Sequence, residues 1–472
     1  MTIPRPSTRA ALIALIYVLL ALAYTWPLAA NLRYGVAHDA GDPILNAWIL
    51  WWTTKAVPLT AHWWNAPIFH PAVGTLAFSE HLLGQAPIAA PLIALTGSAL
   101  VGYNVTLIAT YVFSALGAHW LGYTLTRRHD AAFVAGVAFA FAPYKLAQIP
   151  HIQVVSAYWV PVCLAALHRY GRDAHPRWIV LAAFAWLMQA ISCGYYMFFL
   201  SVLLALWAAW FVPGRWPAKS TLTAAAAFGV AALLMAPILR HYQVILQETY
   251  GFSRSLDEIR FYSADVAGLL LAPEDLLLWG WVHVIQRAES SLFPGVAIVL
   301  LAGFAVFRAT PLRVRADESR GVRTFRAALT AIAIALAIGA ALPIVYGTWR
   351  LTLGGVRLIS IGSADKPLAL AVAAAAAVMA SLPRVRAAIR GRSLLAFYLL
   401  AAVAMWVLAL GPEPTIMGRP ALSHAPYGVL MWLPGFDGLR VPARFWMMAL
   451  ACLSVVAALA VSGSKDGRGG SS

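Results

Sequence analysis

Two aspartates three residues apart, Asp39 and Asp42, stand in the stretch Tyr34-Gly35-Val36-Ala37-His38-Asp39-Ala40-Gly41-Asp42-Pro43, directly after the first apolar run. A carboxylate in such a loop can serve as a general base or can orient an acceptor hydroxyl. Asp42-Pro43 ahead of an apolar run also reads as a helix N-cap followed by proline in the first turn. The two readings are compatible, because a helix start holds a side chain rigidly. The stretch runs on to His81 through Trp48, Trp51, Trp52, Trp63 and Trp64. These tryptophans read as an interfacial aromatic belt, although a platform for a sugar ring would have the same signature.

Two further clusters carry groups suited to an anionic substrate. In Ala142–Gln153, Tyr144, Lys145, His151 and Gln153 sit where two apolar spans are expected to meet water. A snorkelling lysine accounts for Lys145 equally well. In Leu433–Phe445, Arg440 and Arg444 lie four residues apart, and guanidinium forks suit bidentate phosphate binding. Interfacial anchoring is the plainer alternative for that pair. Glu80 and His81, with Asp265 and Glu289 of the segment 239–291, are candidates for an acceptor cleft or for solvated loop charges. The chain has no Walker loop, HExxH or GxSxG motif to redirect the reading.

The elements that must position these groups are membrane spans. The chain has 472 residues, 61% hydrophobic and 11% charged, with a mean hydropathy of +0.75; soluble domains carry about 25% charged residues. Apolar runs of about twenty residues recur, as at 10–30, 221–238 and 327–345, and each predicts a transmembrane helix. The first run lacks a small-x-small cleavage site before Asn31-Leu32-Arg33 and is expected to remain as an anchor. Cys163, Cys193 and Cys452 all lie in apolar runs, with no pairing or metal-cluster spacing.

The net charge of +16 is explained by topology, without nucleic acid. With Arg5 and Arg9 in the cytoplasm, the short basic loops on that side hold 21 of the 34 lysines and arginines but only 5 of the 18 acidic residues. That is the positive-inside bias. It places the termini in the cytoplasm and the Asp39/Asp42 loop outside a bacterial inner membrane. The expected architecture is an all-α polytopic membrane protein with about twelve transmembrane helices. One domain covers residues 1–462, with a first outer loop at 31–101, a long outer loop at 239–291, and a disordered tail at 463–472. The run 82–100, interrupted by Pro87 and Pro91, is expected to be re-entrant or to lie along the surface. Spans are expected at 131–149, 153–168, 293–308, 367–382, 393–410 and 446–462, among others. The polar residues His119 and Gln189 are read as helix-packing groups.

This layout resembles the GT-C superfamily of integral-membrane glycosyltransferases, and in residues the resemblance is concentrated at Gly41-Asp42-Pro43, Ala142–Gln153 and Pro434–Phe445. It implies inverting transfer of a hexosyl or pentosyl group from a polyprenyl-phosphate donor to an acceptor hydroxyl on the outer face. Asp42, with Asp39 as rival, matches the first-loop carboxylate of that group. Arg440 and Arg444 would stabilise the lipid phosphate, with Lys145 or His151 assisting. Many members carry an acidic residue in the second outer turn, where this chain has His151 and Gln153. No metal ligand is therefore assigned, no cofactor is required, and a divalent cation is doubtful. Two other classes fit the composition: a flippase for lipid-linked saccharides, and a non-catalytic assembly factor.

Overall fold

A run of apolar residues in lipid must satisfy its backbone internally, and helices do so. The computed structural model describes residues 8–309, 319–347, 349–353, 356–361 and 363–463. Arg5, the basic and acidic residues of 310–318, and the tail beyond Gly463 lie outside the described residues. Six of the described helices are long and apolar enough to cross a membrane, or seven if the pair Asp365–Ser381 and Pro383–Arg390, bent by 73°, forms one span. Shorter apolar helices include Thr8–Tyr24, Pro176–Ser192, Val296–Arg308 and Leu394–Ala409. The chain is an all-α polytopic membrane protein, and its described strands amount to two small antiparallel hairpins.

Prolines shift several expected boundaries. The span expected at 131–149 is a helix, His129–Ala140, followed after a break by the turn Pro143–Ala147. The span expected at 153–168 is a short turn, Ile152–Val155, and then the helix Trp159–Asp173. Pro161 lacks an N–H and is best accommodated in a first turn, which fits a helix that starts at Trp159. The segment 82–100 holds the eleven-residue helix Ala86–Thr96, closed by Gly97 in the left-handed region. Eleven residues rise about 17 Å, well short of a bilayer core. The expected loop 239–291 begins later than its apparent start, because the helix Ala218–Gln243 continues as a π-turn through Thr249.

By its internal packing the folded chain divides into two compact units. The first comprises Met1–Ser253, Pro294–Ala302 and Met447–Ser464. Its axis is the 28-residue helix Ala99–Thr126, capped by Ser98 at its start and closed by Arg127 in the left-handed region. Asn104, in the second turn of this helix, donates from Nδ2 to the carbonyls of Leu32 and Gly35 at 2.9 and 2.8 Å. The first loop is stitched down further along its length. Gln85 donates to Ser192 O at 2.9 Å, Tyr242 to Ser79 O at 2.9 Å, and the Tyr250 hydroxyl bonds both the N–H and the carbonyl of Val73. At Gly84 a Cβ would come within 1.9 Å of Ser192 Oγ, so only glycine permits this approach.

The first loop therefore belongs to the core. Ile49, Leu50, Trp63, Trp64 and Leu76 cluster with Tyr103, Leu107 and Tyr111 of the long helix. Trp63 is 0% exposed and Trp64 is 4% exposed. Trp52 Nε1 donates to Trp63 O at 2.9 Å and Trp63 Nε1 to Thr53 Oγ1 at 3.2 Å. Trp52 and Trp63 are thus packing residues with satisfied indoles, and Trp64 packs edge-on against Trp63, in place of the expected interfacial belt. Trp26, by contrast, is 69% exposed.

The second unit comprises Arg254–Phe293 and Gly303–Trp446 among the described residues. It includes the helices Arg320–Tyr346, Asp365–Ser381 and Leu394–Ala409, and its interhelical segments converge on Asp265. That carboxylate, 0% exposed, accepts from the N–H groups of Ala267, Met417 and Gly418 at 2.8, 3.0 and 2.9 Å and from Thr415 Oγ1 at 2.6 Å. Arg287 lies 3.8 Å away.

Packing in the first loop sets a testable difference between tryptophans. Replacing a buried tryptophan by alanine costs about 3–5 kcal/mol. Trp63→Ala is expected to lower the thermal midpoint in detergent sharply, and Trp26→Ala to leave it nearly unchanged. Equal, small effects would return Trp63 to the belt.

Candidate functional site

The helix Asp42–Trp52 begins with Gly41 at the cap position and Pro43 in its first turn. Gly41 offers no side chain to cap with, and Asp42 is the first helical residue, one place later than the cap position expected for it. The turn before it is closed by Asp39, whose Oδ1 accepts from Gly41 N at 2.8 Å while Oδ2 meets His38 Nδ1 at 2.6 Å. The Gly41 N–H, then His38, hold the Asp39 carboxyl below the usual range. Asp39 thus shapes the loop, and Asp42 faces the second cluster. His151 Nε2 lies 3.1 Å from Asp42 Oδ2, with the side chains 24% and 52% exposed. Asn46, one turn further along the helix, donates to Pro150 O at 3.4 Å, fixing helix and turn together. With its hydrogen on Nε2 the imidazole donates to Asp42, while Nδ1 is buried with no hydrogen-bond partner among the described residues. A half-exposed carboxylate with one oxygen oriented by an imidazole has the chemistry to accept a proton.

The other residues proposed for the second cluster turn inward. Lys145 is 0% exposed and donates to Ser114 Oγ at 2.7 Å and Val155 O at 3.1 Å. Its ammonium lies 4.7 Å from the centre of the Phe139 ring. It neither reaches a phosphate nor snorkels; it ties the turn Ile152–Val155 to the long helix. Tyr144 and Gln153 are buried beside it, because the break at Pro143 folds that turn into the bundle instead of out to water. His119 and Gln189 bond within the bundle, to Tyr17 at 2.9 Å and Ser156 O at 3.0 Å.

Glu80 and His81 are both engaged within the fold. Both oxygens of Glu80 accept from Gly194 N, at 3.2 and 3.0 Å, so the carboxylate caps the start of the helix Gly194–Phe211 and opposes its dipole. His81 is buried against Trp63, Trp64 and Tyr242, and its Nδ1 accepts from Leu83 N at 3.2 Å. Burial pushes its pKa down to about 4.

In the second unit, Arg444 and Glu289 meet at 2.8 Å with side chains 4% and 9% exposed. Arg444 answers an internal carboxylate, so the phosphate role expected for it and the cleft role expected for Glu289 are both replaced by this buried pair. Asp265 is likewise committed to the segment 415–418. Arg440 differs. Its guanidinium stacks on Tyr262 at 4.8 Å, stands 3.8 Å from Glu258, and is 37% exposed; its Nε has no hydrogen-bond partner among the described residues.

Two residues near Asp42 escape the sequence reading. One is Asn104, which positions the loop. The other is Tyr103, buried within electrostatic range of Asp42 and Asp39, whose hydroxyl has no hydrogen-bond partner among the described residues. A signal exists for both, since Tyr103 and Asn104 are polar groups near the start of an otherwise apolar run. Asp39 and Asp42 each engage an imidazole, and no group of three or more His, Cys, Asp or Glu among the described residues could hold a metal ion.

No family model matches the sequence, and no curated protein matches it. Among solved structures, the crystal structure of ArnT from Cupriavidus metallidurans in the apo state is similar at 15% identity, covering 97% of this chain and 78% of that one, with a TM-score of 0.37. At that distance the match assigns neither fold nor activity.

The depressed pKa of His81 gives a pH dependence with a definite sign. The folded state excludes the proton that the unfolded chain binds below about 6.5, so stability is full above that pH and falls as pH drops toward about 4. The full difference is on the order of 3 kcal/mol. His81→Gln is expected to flatten this part of the thermal-midpoint profile between pH 7 and pH 4. An unchanged slope would mean that another group titrates there.

Proposed function

We propose that this chain is an integral-membrane glycosyltransferase of the GT-C kind, moving a sugar from a polyprenyl-phosphate donor to an acceptor hydroxyl with inversion. The observation that carries this reading is the Asp42–His151 contact at the half-exposed start of the helix Asp42–Trp52. Asp42 takes the proton of the acceptor hydroxyl as its oxygen bonds to the anomeric carbon. The bond from that carbon to the phosphate oxygen breaks on the opposite face of the sugar, and the polyprenyl phosphate leaves with the electron pair. His151 holds Asp42 in place and stabilises its charge until the proton arrives. In the second unit, Arg440, stacked on Tyr262 and 37% exposed, is assigned separately to an anionic head group, whose charge a fixed cation offsets. The charge bias of the short loops supports a reaction on the outer face of a bacterial inner membrane.

Lipid-linked sugars extracted with the purified protein and identified by mass spectrometry supply the donor for an assay in proteoliposomes. General-base catalysis contributes about 10²–10⁴-fold. Asp42→Asn, with folding verified by gel filtration, is expected to lose at least about a hundredfold in transfer rate. His151→Gln is expected to lose less, and Asp39→Asn least. Full transfer by Asp42→Asn would remove the proposal.

A further inference from the structure

We propose that the loop from Leu271 to His283 is a membrane anchor, whose tip of Leu277, Leu278 and Trp281 lies in the interfacial layer of the bilayer. These side chains are 102%, 75% and 75% exposed and close together in the chain. Such a patch marks an interaction surface, whereas isolated exposed leucines do not. The loop has a fixed shape. Ala272 N donates to Val282 O at 2.9 Å, and Leu271 bridges His283, closing the base. Gly280 N donates to Leu276 O at 2.7 Å, and a Cβ at Gly280 would come within 2.3 Å of Glu274 O, so the turn requires glycine.

The occupant follows from chemistry and from level. Leucine and tryptophan are the residues that partition into the head-group boundary. Bringing backbone into that layer is costly unless its polar groups are satisfied. Here the turn bonds itself, and the Trp281 indole donates to Leu278 O at 2.9 Å. The Glu274 carboxylate lies 3.6 Å from His283 at the base, and Asp275 follows it directly, so the run Leu276–Trp281 carries no charge. That base sits where apolar helices of the same unit end. Ala264 N donates to Ala409 O at 2.9 Å, at the end of Leu394–Ala409. Arg419 bonds the Ile344 and Val345 carbonyls at the end of Arg320–Tyr346. Asp265 binds the segment 415–418 to the chain leading into the loop. Only 6% of the residues in the most apolar window of Arg320–Tyr346 are buried by protein, which leaves most of that window open to lipid. A loop tied to the end of a lipid-covered helix has the same lipid within reach.

The three native cysteines are buried, which allows selective labelling of a new one. Leu277→Cys and Trp281→Cys, each carrying the fluorophore NBD, are to be compared with Asp257→Cys, whose native side chain is 88% exposed. The full chain is reconstituted in phosphatidylcholine–phosphatidylglycerol vesicles, with or without lipids bearing a doxyl quencher high on the acyl chain. At 277 and 281 the emission is expected to shift to the blue and to be quenched severalfold more than at 257. Water-like emission at both tip positions would overturn the anchor. Blue-shifted emission that the doxyl lipids leave unquenched would also overturn it, by assigning the tip to a protein partner or a second copy.

Discussion

The first unit depends on one amide. Asn104 projects from the second turn of an apolar helix and donates both Nδ2 hydrogens to carbonyls of the chain that has just left the first helix. Asn104 is 0% exposed, and a buried amide without partners costs about 1–3 kcal/mol, so the contact fixes where the chain runs after Leu32 and Gly35. Geometry then carries the rest: the Asp39 turn, the helix start at Asp42, and the meeting with His151. A leucine at 104 would still form the helix and would leave the loop without a register.

Much of this is legible in the sequence. Hydropathy reveals the helical membrane class, and the Gly41-Asp42-Pro43 helix start is visible because proline belongs in a first turn. His151 stands out as a histidine that topology does not require. The tryptophans mislead because an aromatic belt and a buried aromatic core have the same composition and the same spacing. What separates them is whether the Trp52 and Trp63 indoles find partners inside the loop, and sequence spacing does not carry that information.

The charged groups show the same limit from another side. Glu289 and Arg444 are 155 residues apart, and nothing local announces that they neutralise each other. Each alone looks like a free charge in an interhelical segment. Asp265, Glu80 and Lys145 look like site groups in the sequence, and all three serve the fold: a loop hub, a helix cap and a turn clamp. A chain with only 11% charged residues uses many of them to hold irregular backbone between apolar helices. The half-exposed Asp42 and the partly exposed Arg440 stand out against that background.

The tyrosines that pin the first loop set an order of events during synthesis. Tyr242 and Tyr250 reach Ser79 and Val73 across 163 and 177 residues. At about 5–20 residues per second, a ribosome needs on the order of ten to thirty seconds to make the intervening chain. During that interval the loop lacks these two contacts, and it must wait for the helix Ala218–Gln243 and the turn after it to close over it. The loop is made first and completed late, which makes it the part of the chain most dependent on protection during biogenesis.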